Sequence, residues 1–255
     1  MNHRAQLLAG MILLTTTTMD AGLAQAASGP GKAAIASPHR LATDAGLEVL
    51  ASGGNAFDAA IAVGAALSVI EPSSSGIGGG GFFLLHRARD GKDVFIDARE
   101  TAPAESRGEL WADAEGKIDR DKAMNGPLSA GIPGEPAAFT WMAGHYGKLP
   151  LKASLAPAIR LAREGFPVYA RFQSSIERRK EVLARWPGAT ALYLVDGAAP
   201  ALGTVWKNPD LATTLERIAS KGDEGFYEGE FAARMVEAVR AAGGIWKRED
   251  LAAYK

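Results

Sequence analysis

The stretch from Glu71 to Pro103, EPSSSGIGGGGFFLLHRARDGKDVFIDARETAP, constrains this chain more than any other. Residues 72–81 hold five glycines: Gly76, then Gly78, Gly79, Gly80 and Gly81 in succession. They predict a loop whose bare backbone passes close to another segment. Two apolar runs follow, Phe82 to Arg87 and Asp93 to Ala98, on either side of Asp90-Gly91. Asp-Gly between short hydrophobic runs is a strong hairpin signal. Val94, Phe95 and Ile96 suit a pleated sheet. Arg99 comes next, at the mouth of the second strand and just before Pro103 turns the chain. A guanidinium fixed there can grip a carboxylate through two parallel hydrogen bonds. It can equally be a plain sheet-edge arginine paired to Glu100 or Asp97, and spacing alone leaves both readings open.

Gly76-x-Gly78-x-x-Gly81 also has the spacing of a dinucleotide-binding loop. That loop needs a strand before it and a helix after it. Here the predicted order is reversed, so nucleotide binding is set aside.

The chain has 255 residues, enough for one large core or two small ones. A net charge of -1 gives no pull toward nucleic acid or an anionic membrane. The absence of cysteine excludes a thiol nucleophile, disulfides and thiolate metal sites. The four histidines, His3, His39, His86 and His145, have no metal-ligand spacing. No metal and no organic cofactor are expected.

Residues 1–26 read as a signal peptide: Arg4, an apolar Leu7–Leu14 centre and Ala24-Gln25-Ala26 as a cleavage pattern. Residues 27–36 form a flexible lead-in. Ser37-Pro38 reads as a helix start, with Leu41, Ala42, Ala45 and Val49 on one face. Asn55 caps a second helix, with Asp58 as its capping-box partner. Residues 59–70 are apolar almost all round and too short to span a membrane, so they predict a core helix. Residues 106–127 look like a surface excursion, and 187–205 like a loop. Further helices are predicted over 135–145, 151–163, 171–184, 209–220, 230–242 and 248–254. The run Glu177-Arg178-Arg179-Lys180 reads as a solvated helix face.

Several blocks occur together and in order: 51–60 (ASGGNAFDAA), 71–82, 97–103 (DARETAP), 131–134 (GIPG), 161–166 (LAREGF) and 225–229 (GFYEG). On these the chain, from about Ala34 to Lys255, resembles the large subunit of the gamma-glutamyltranspeptidase family, within the N-terminal nucleophile hydrolases. The resemblance implies an α/β fold of the α+β type, an αββα sandwich that is incomplete here, with 37–255 as a partial large-subunit domain. It implies that Arg99 binds the α-carboxylate of a gamma-glutamyl donor such as glutathione, and that the glycine loop is structural. It also implies a nucleophilic threonine in a Thr-Thr-His context, which this chain lacks: Thr213-Thr214 precedes Leu215. The nucleophile is expected beyond Lys255, in a catalytic small subunit cut from the same precursor, together with the oxyanion hole and the groups that hold the substrate amine. No catalytic residue is therefore assigned, and the chain alone is expected to be truncated, inactive and poorly soluble. The expected location is periplasmic or secreted, with no membrane span once the signal is removed and no nucleic-acid partner. Two alternatives stand. One is a related glutaryl or cephalosporin acylase, whose donor also offers a carboxylate. The other is a non-catalytic remnant that binds a partner subunit or a gamma-glutamyl ligand.

Overall fold

The computed structural model describes residues 32–255. The signal peptide expected at 1–26 and the first part of the lead-in lie outside the described residues. From Ile35 onward the chain forms one body.

Helix α1 spans Arg40–Ala51, and its cap is His39 rather than Ser37. The His39 Nδ1 accepts the Leu41 N–H at 3.1 Å. Ser37 lies too far upstream to reach the first free N–H groups, and its hydroxyl donates to the His39 carbonyl instead. Helix α2, Ala56–Ile70, carries the predicted Asn55/Asp58 capping box. Asp58 does more than cap. It is fully buried and also accepts the Lys148 and Leu149 N–H groups, at 3.0 and 3.4 Å. One carboxylate thus ties the start of α2 to a loop ninety residues away.

Strands β1 (Gly81–Arg87) and β2 (Lys92–Ala98) pair antiparallel across the predicted Asp90-Gly91 turn. Gly91 takes a left-handed φ of 64°, which only glycine adopts freely. Alternation divides the hairpin: Phe83, Leu85, Val94 and Ile96 turn to the core, while Phe82, Leu84 and Phe95 face out.

The 106–127 excursion contains a 3-10 turn at Gly108–Trp111 and a short helix α3, Arg120–Asn125. Helices α4 (Glu135–His145) and α5 (Leu151–Glu164) follow as predicted. Strand β3, Phe166–Pro167, then leads to α6, Ala170–Leu183. The 187–205 segment was predicted as loop, yet it holds α7, Pro187–Tyr193. No residue of α3 or α7 is buried, so neither carries the apolar stripe that reveals a helix in sequence. Strand β4, Val205–Trp206, pairs antiparallel with β3, and both are too short to show alternation. The chain closes with α8 (Pro209–Lys221), α9 (Glu224–Tyr227), α10 (Gly229–Ala241) and α11 (Arg248–Ala252).

The core forms around α2. Its small residues Ala62, Ala65 and Ala66 are fully buried and let neighbours approach closely. Phe139 and Met142 of α4, Leu155 and Ala158 of α5, and Leu215 and Ile218 of α8 complete the cluster. Helix α2 packs against α1, α4 and α5, and α5 against α8. Strand β2 packs on α4. No helix among the described residues is long and apolar enough to cross a membrane.

Candidate substrate-binding cleft

Strand β2 ends at Ala98, so Arg99 leaves the sheet where the ladder stops. Its main chain is held on both sides. The Arg99 N–H donates to Asp97 Oδ1 at 3.0 Å, and the Tyr254 hydroxyl donates to the Arg99 carbonyl at 2.7 Å. Thr101 and Ile132 then exchange two backbone hydrogen bonds, at 3.2 and 2.8 Å. The side chain is left free to point, and it lines a cleft of about 540 Å³ with residues 72–80, Glu100, Tyr193 and Trp206. The guanidinium Nε lies 3.1 Å from Glu100 Oε2, yet the side chain remains 56% exposed. Both acids named from sequence are therefore engaged: Asp97 by the backbone of Arg99, Glu100 by its side chain. An ion pair this open to water contributes little to stability, so a ligand carboxylate can compete for the guanidinium. The Phe82 ring lies under the guanidinium, 5.8 Å from centroid to Cζ.

The glycine loop forms another part of the cleft wall. Gly80 is the crowded position: a Cβ there would overlap the Ala98 carbonyl and stand 2.9 Å from the Arg99 Cα. A Cβ on Gly79 would sit 3.1 Å from Glu100 Oε1. Gly78 faces open space and Gly76 and Gly81 have room, so the close approach concerns Gly79 and Gly80. The order around the loop is helix α2, loop, strand β1. The Gly79 carbonyl accepts the N–H groups of Gly134 and Glu135 at 2.9 and 3.1 Å, which fastens the loop to the start of α4.

Glu135 is a buried acid behind the cleft wall that the sequence did not reveal. It is 8% exposed, beneath the loop. Burial pushes its carboxyl up to about 8; the Gly76 N–H works the other way, and the Glu100 charge raises it further. An acid in the first turn of a helix is ordinary, so nothing in the sequence marked this one as buried. The Tyr254 hydroxyl was equally silent, lying at the far end of the chain. Burial, with Asp97 and Glu100 nearby, raises its pKa. Tyr227 fastens the approach to α4: its hydroxyl donates to the Pro133 carbonyl at 2.8 Å and accepts the Ala137 N–H at 3.3 Å.

Thr213 and Thr214 sit on α8, away from this cleft lining. Their hydroxyls donate to the carbonyls of Pro209 and Asp210, at 3.0 and 2.9 Å, as ordinary helix-surface residues do. The cleft can thus offer an anionic group a solvent-exposed guanidinium.

Comparison with known proteins bears on which group that is. The gamma-glutamyltranspeptidase family model matches residues 42–255. The chain is 37% identical over 222 residues to the glutathione hydrolase proenzyme of Escherichia coli K12, covering 87% of this chain and 38% of that protein. It therefore spans about two fifths of that relative's length. Among solved structures, Helicobacter pylori gamma-glutamyltranspeptidase superposes with a TM-score of 0.83 at 34% identity, over 89% of this chain and 66% of that one. A cephalosporin acylase from Bacillus halodurans superposes with a TM-score of 0.73 at 32% identity, over 89% of this chain and 46% of that one. With a match this long, on a mixed helix-and-strand fold of the same kind, the chain belongs to the gamma-glutamyltranspeptidase family.

Proposed function

We propose that residues 37–255 form the donor-carboxylate side of a gamma-glutamyltransferase and glutathione hydrolase. Arg99 grips the α-carboxylate of the gamma-glutamyl group, and Gly79 and Gly80 let the loop pack closely against the Ala98–Glu100 segment that carries it. The observation that carries this reading is the position of Arg99, pinned through its main chain at a strand end while its side chain lines a 540 Å³ cleft.

In this reading the nucleophile comes from a catalytic small subunit of the same precursor. A threonine hydroxyl attacks the gamma-amide carbonyl, and its own α-amine takes the proton and passes it to the departing amine. The gamma-glutamyl ester is then resolved by water, an amino acid or a peptide. Arg99 does not touch the scissile bond. It fixes the far end of the donor, so that the amide meets the nucleophile in one orientation. The proenzyme naming of the relative supports a processed precursor, and the leader-like sequence of residues 1–26 supports an exported location.

Arg99→Lys in the processed enzyme should raise the donor KM by ~2 kcal/mol or more in binding terms, because the forked pairing is lost. The assay is hydrolysis of a gamma-glutamyl anilide, and an unchanged KM refutes the role of Arg99. The 255-residue chain alone should release no anilide, and measurable turnover by it would refute the division of labour. The likeness to a cephalosporin acylase keeps a glutaryl donor as a second reading, since that donor offers the same carboxylate to Arg99. Comparing gamma-glutamyl and glutaryl anilides, which differ in the α-amine, separates the two.

A further inference from the structure

A second cleft, of about 570 Å³, shares Pro72, Ser73, Ser74 and Tyr193 with the Arg99 cleft. Helix α6 gives it Arg171, Arg178 and Arg179, whose seven- and eight-residue spacings put them on one helical face. The sequence places Arg178 and Arg179 inside a charge run of ordinary solvated appearance, but the fold divides that run. Glu177 and Lys180 pair with each other, whereas Arg178 and Arg179 line the cleft.

These two arginines are held by neutral acceptors. The Nη1 and Nη2 of Arg178 donate to the Ser174 and Ser175 hydroxyls, at 3.2 and 3.0 Å. Arg179 donates to the Asn125 side-chain carbonyl. Among the described residues neither forms an ion pair. Two acids of this region, Glu71 and Asp121, are already engaged. Glu71, only 3% exposed, accepts the Tyr169 hydroxyl at 2.6 Å and lies 3.5 Å from the Arg171 Nε. Asp121, whose field reaches Arg179, is gripped by Arg185 at 2.7 Å. Glu71 and Asp121 each have a nearer arginine, so Arg178 and Arg179 present two oriented guanidinium groups with no carboxylate paired directly to them. Met124, Phe172, Ile176 and Leu183 give part of its wall an apolar face, beside Ser73, Ser74, Tyr169 and Tyr193.

We propose that this cleft binds an acidic peptide, with Arg178 and Arg179 taking its side-chain carboxylates and the apolar wall taking the aliphatic stems. A guanidinium fork matches a carboxylate or a phosphate equally well. The apolar wall favours the carboxylate source, because glutamyl side chains bring methylenes to cover it and a free phosphate brings none. Binding here needs no catalysis at the Arg99 cleft.

The test is calorimetric titration of the 255-residue chain with blocked tetraglutamate, blocked tetraglutamine and inorganic phosphate, at low and high salt. Tetraglutamate should bind, more weakly at high salt, and tetraglutamine should not. Arg178→Gln and Arg179→Gln should each weaken tetraglutamate binding by about tenfold. Arg178→Lys, which keeps the charge but loses the fork, should weaken it less. Both sites lie on an exposed helix face, and circular dichroism confirms that each variant folds. Equal binding of tetraglutamine, or no binding of tetraglutamate, overturns the proposal. So does phosphate binding as tightly as the peptide. Loss of peptide binding in Arg99→Lys, with none in the α6 variants, would place the carboxylates at the Arg99 cleft and overturn it as well.

Discussion

Replacing Glu135 with glutamine should flatten the pH dependence of stability across the range in which a buried carboxyl is forced to stay neutral. In the folded chain burial holds the Glu135 carboxyl protonated up to about 8, against an ordinary glutamate value of 4.5. Below pH 4.5 the folded and unfolded states both carry the proton, and its stabilising contribution is fully present. As pH rises, the unfolded chain ionises first. Stability falls until the folded group also ionises near pH 8, and the loss is then complete. The gap between 4.5 and about 8, at about 1.4 kcal/mol per pH unit, sets a ceiling of about 5 kcal/mol. Water drawn in on ionisation reduces it, so a loss of about 2 to 5 kcal/mol is expected. Glutamine keeps an oxygen for the Gly76 N–H and cannot ionise. The assay is urea unfolding of the chain and of Glu135→Gln at half-unit steps from pH 4.5 to 8.5. The parent should lose stability relative to the variant over that window, and the two should run parallel above it. Parallel profiles throughout would refute the assignment of a buried neutral acid at Glu135.

Two further substitutions test the scaffold of the site. Gly80→Ala would drive a methyl into the Ala98 carbonyl, so it should lower the melting temperature by several degrees, about 1 to 3 kcal/mol, while Gly78→Ala, facing open space, should cost far less. Asp58→Ala would leave the N–H groups of Asn55, Lys148 and Leu149 without their buried acceptor at once, and chemical denaturation should show a loss of about 2 to 4 kcal/mol.

Local pattern was enough for much of this molecule. The Asp90-Gly91 turn, the two strands around it, the Asn55/Asp58 box and the apolar α2 all follow from neighbours within a few residues, because turn chemistry, capping and periodicity are short-range. The place of Arg99 at the end of a strand came from the same information. Elements without a buried stripe, α3 and α7, left no periodic trace and were missed. So was the ladder of Phe166–Pro167 with Val205–Trp206, where two residues a side are too few to alternate.

The sequence by itself determined the hairpin, the capped core helix and the arginine that leaves the sheet, since each is written in residues adjacent along the chain. Only the tertiary structure decided what surrounds them. It placed Glu135 out of water beneath the glycine loop and brought Tyr254 to the Arg99 carbonyl. It also turned Arg178 and Arg179 into a cleft while their neighbours paired off. Burial and charge compensation depend on which distant segments pack together, and no local pattern carries that information.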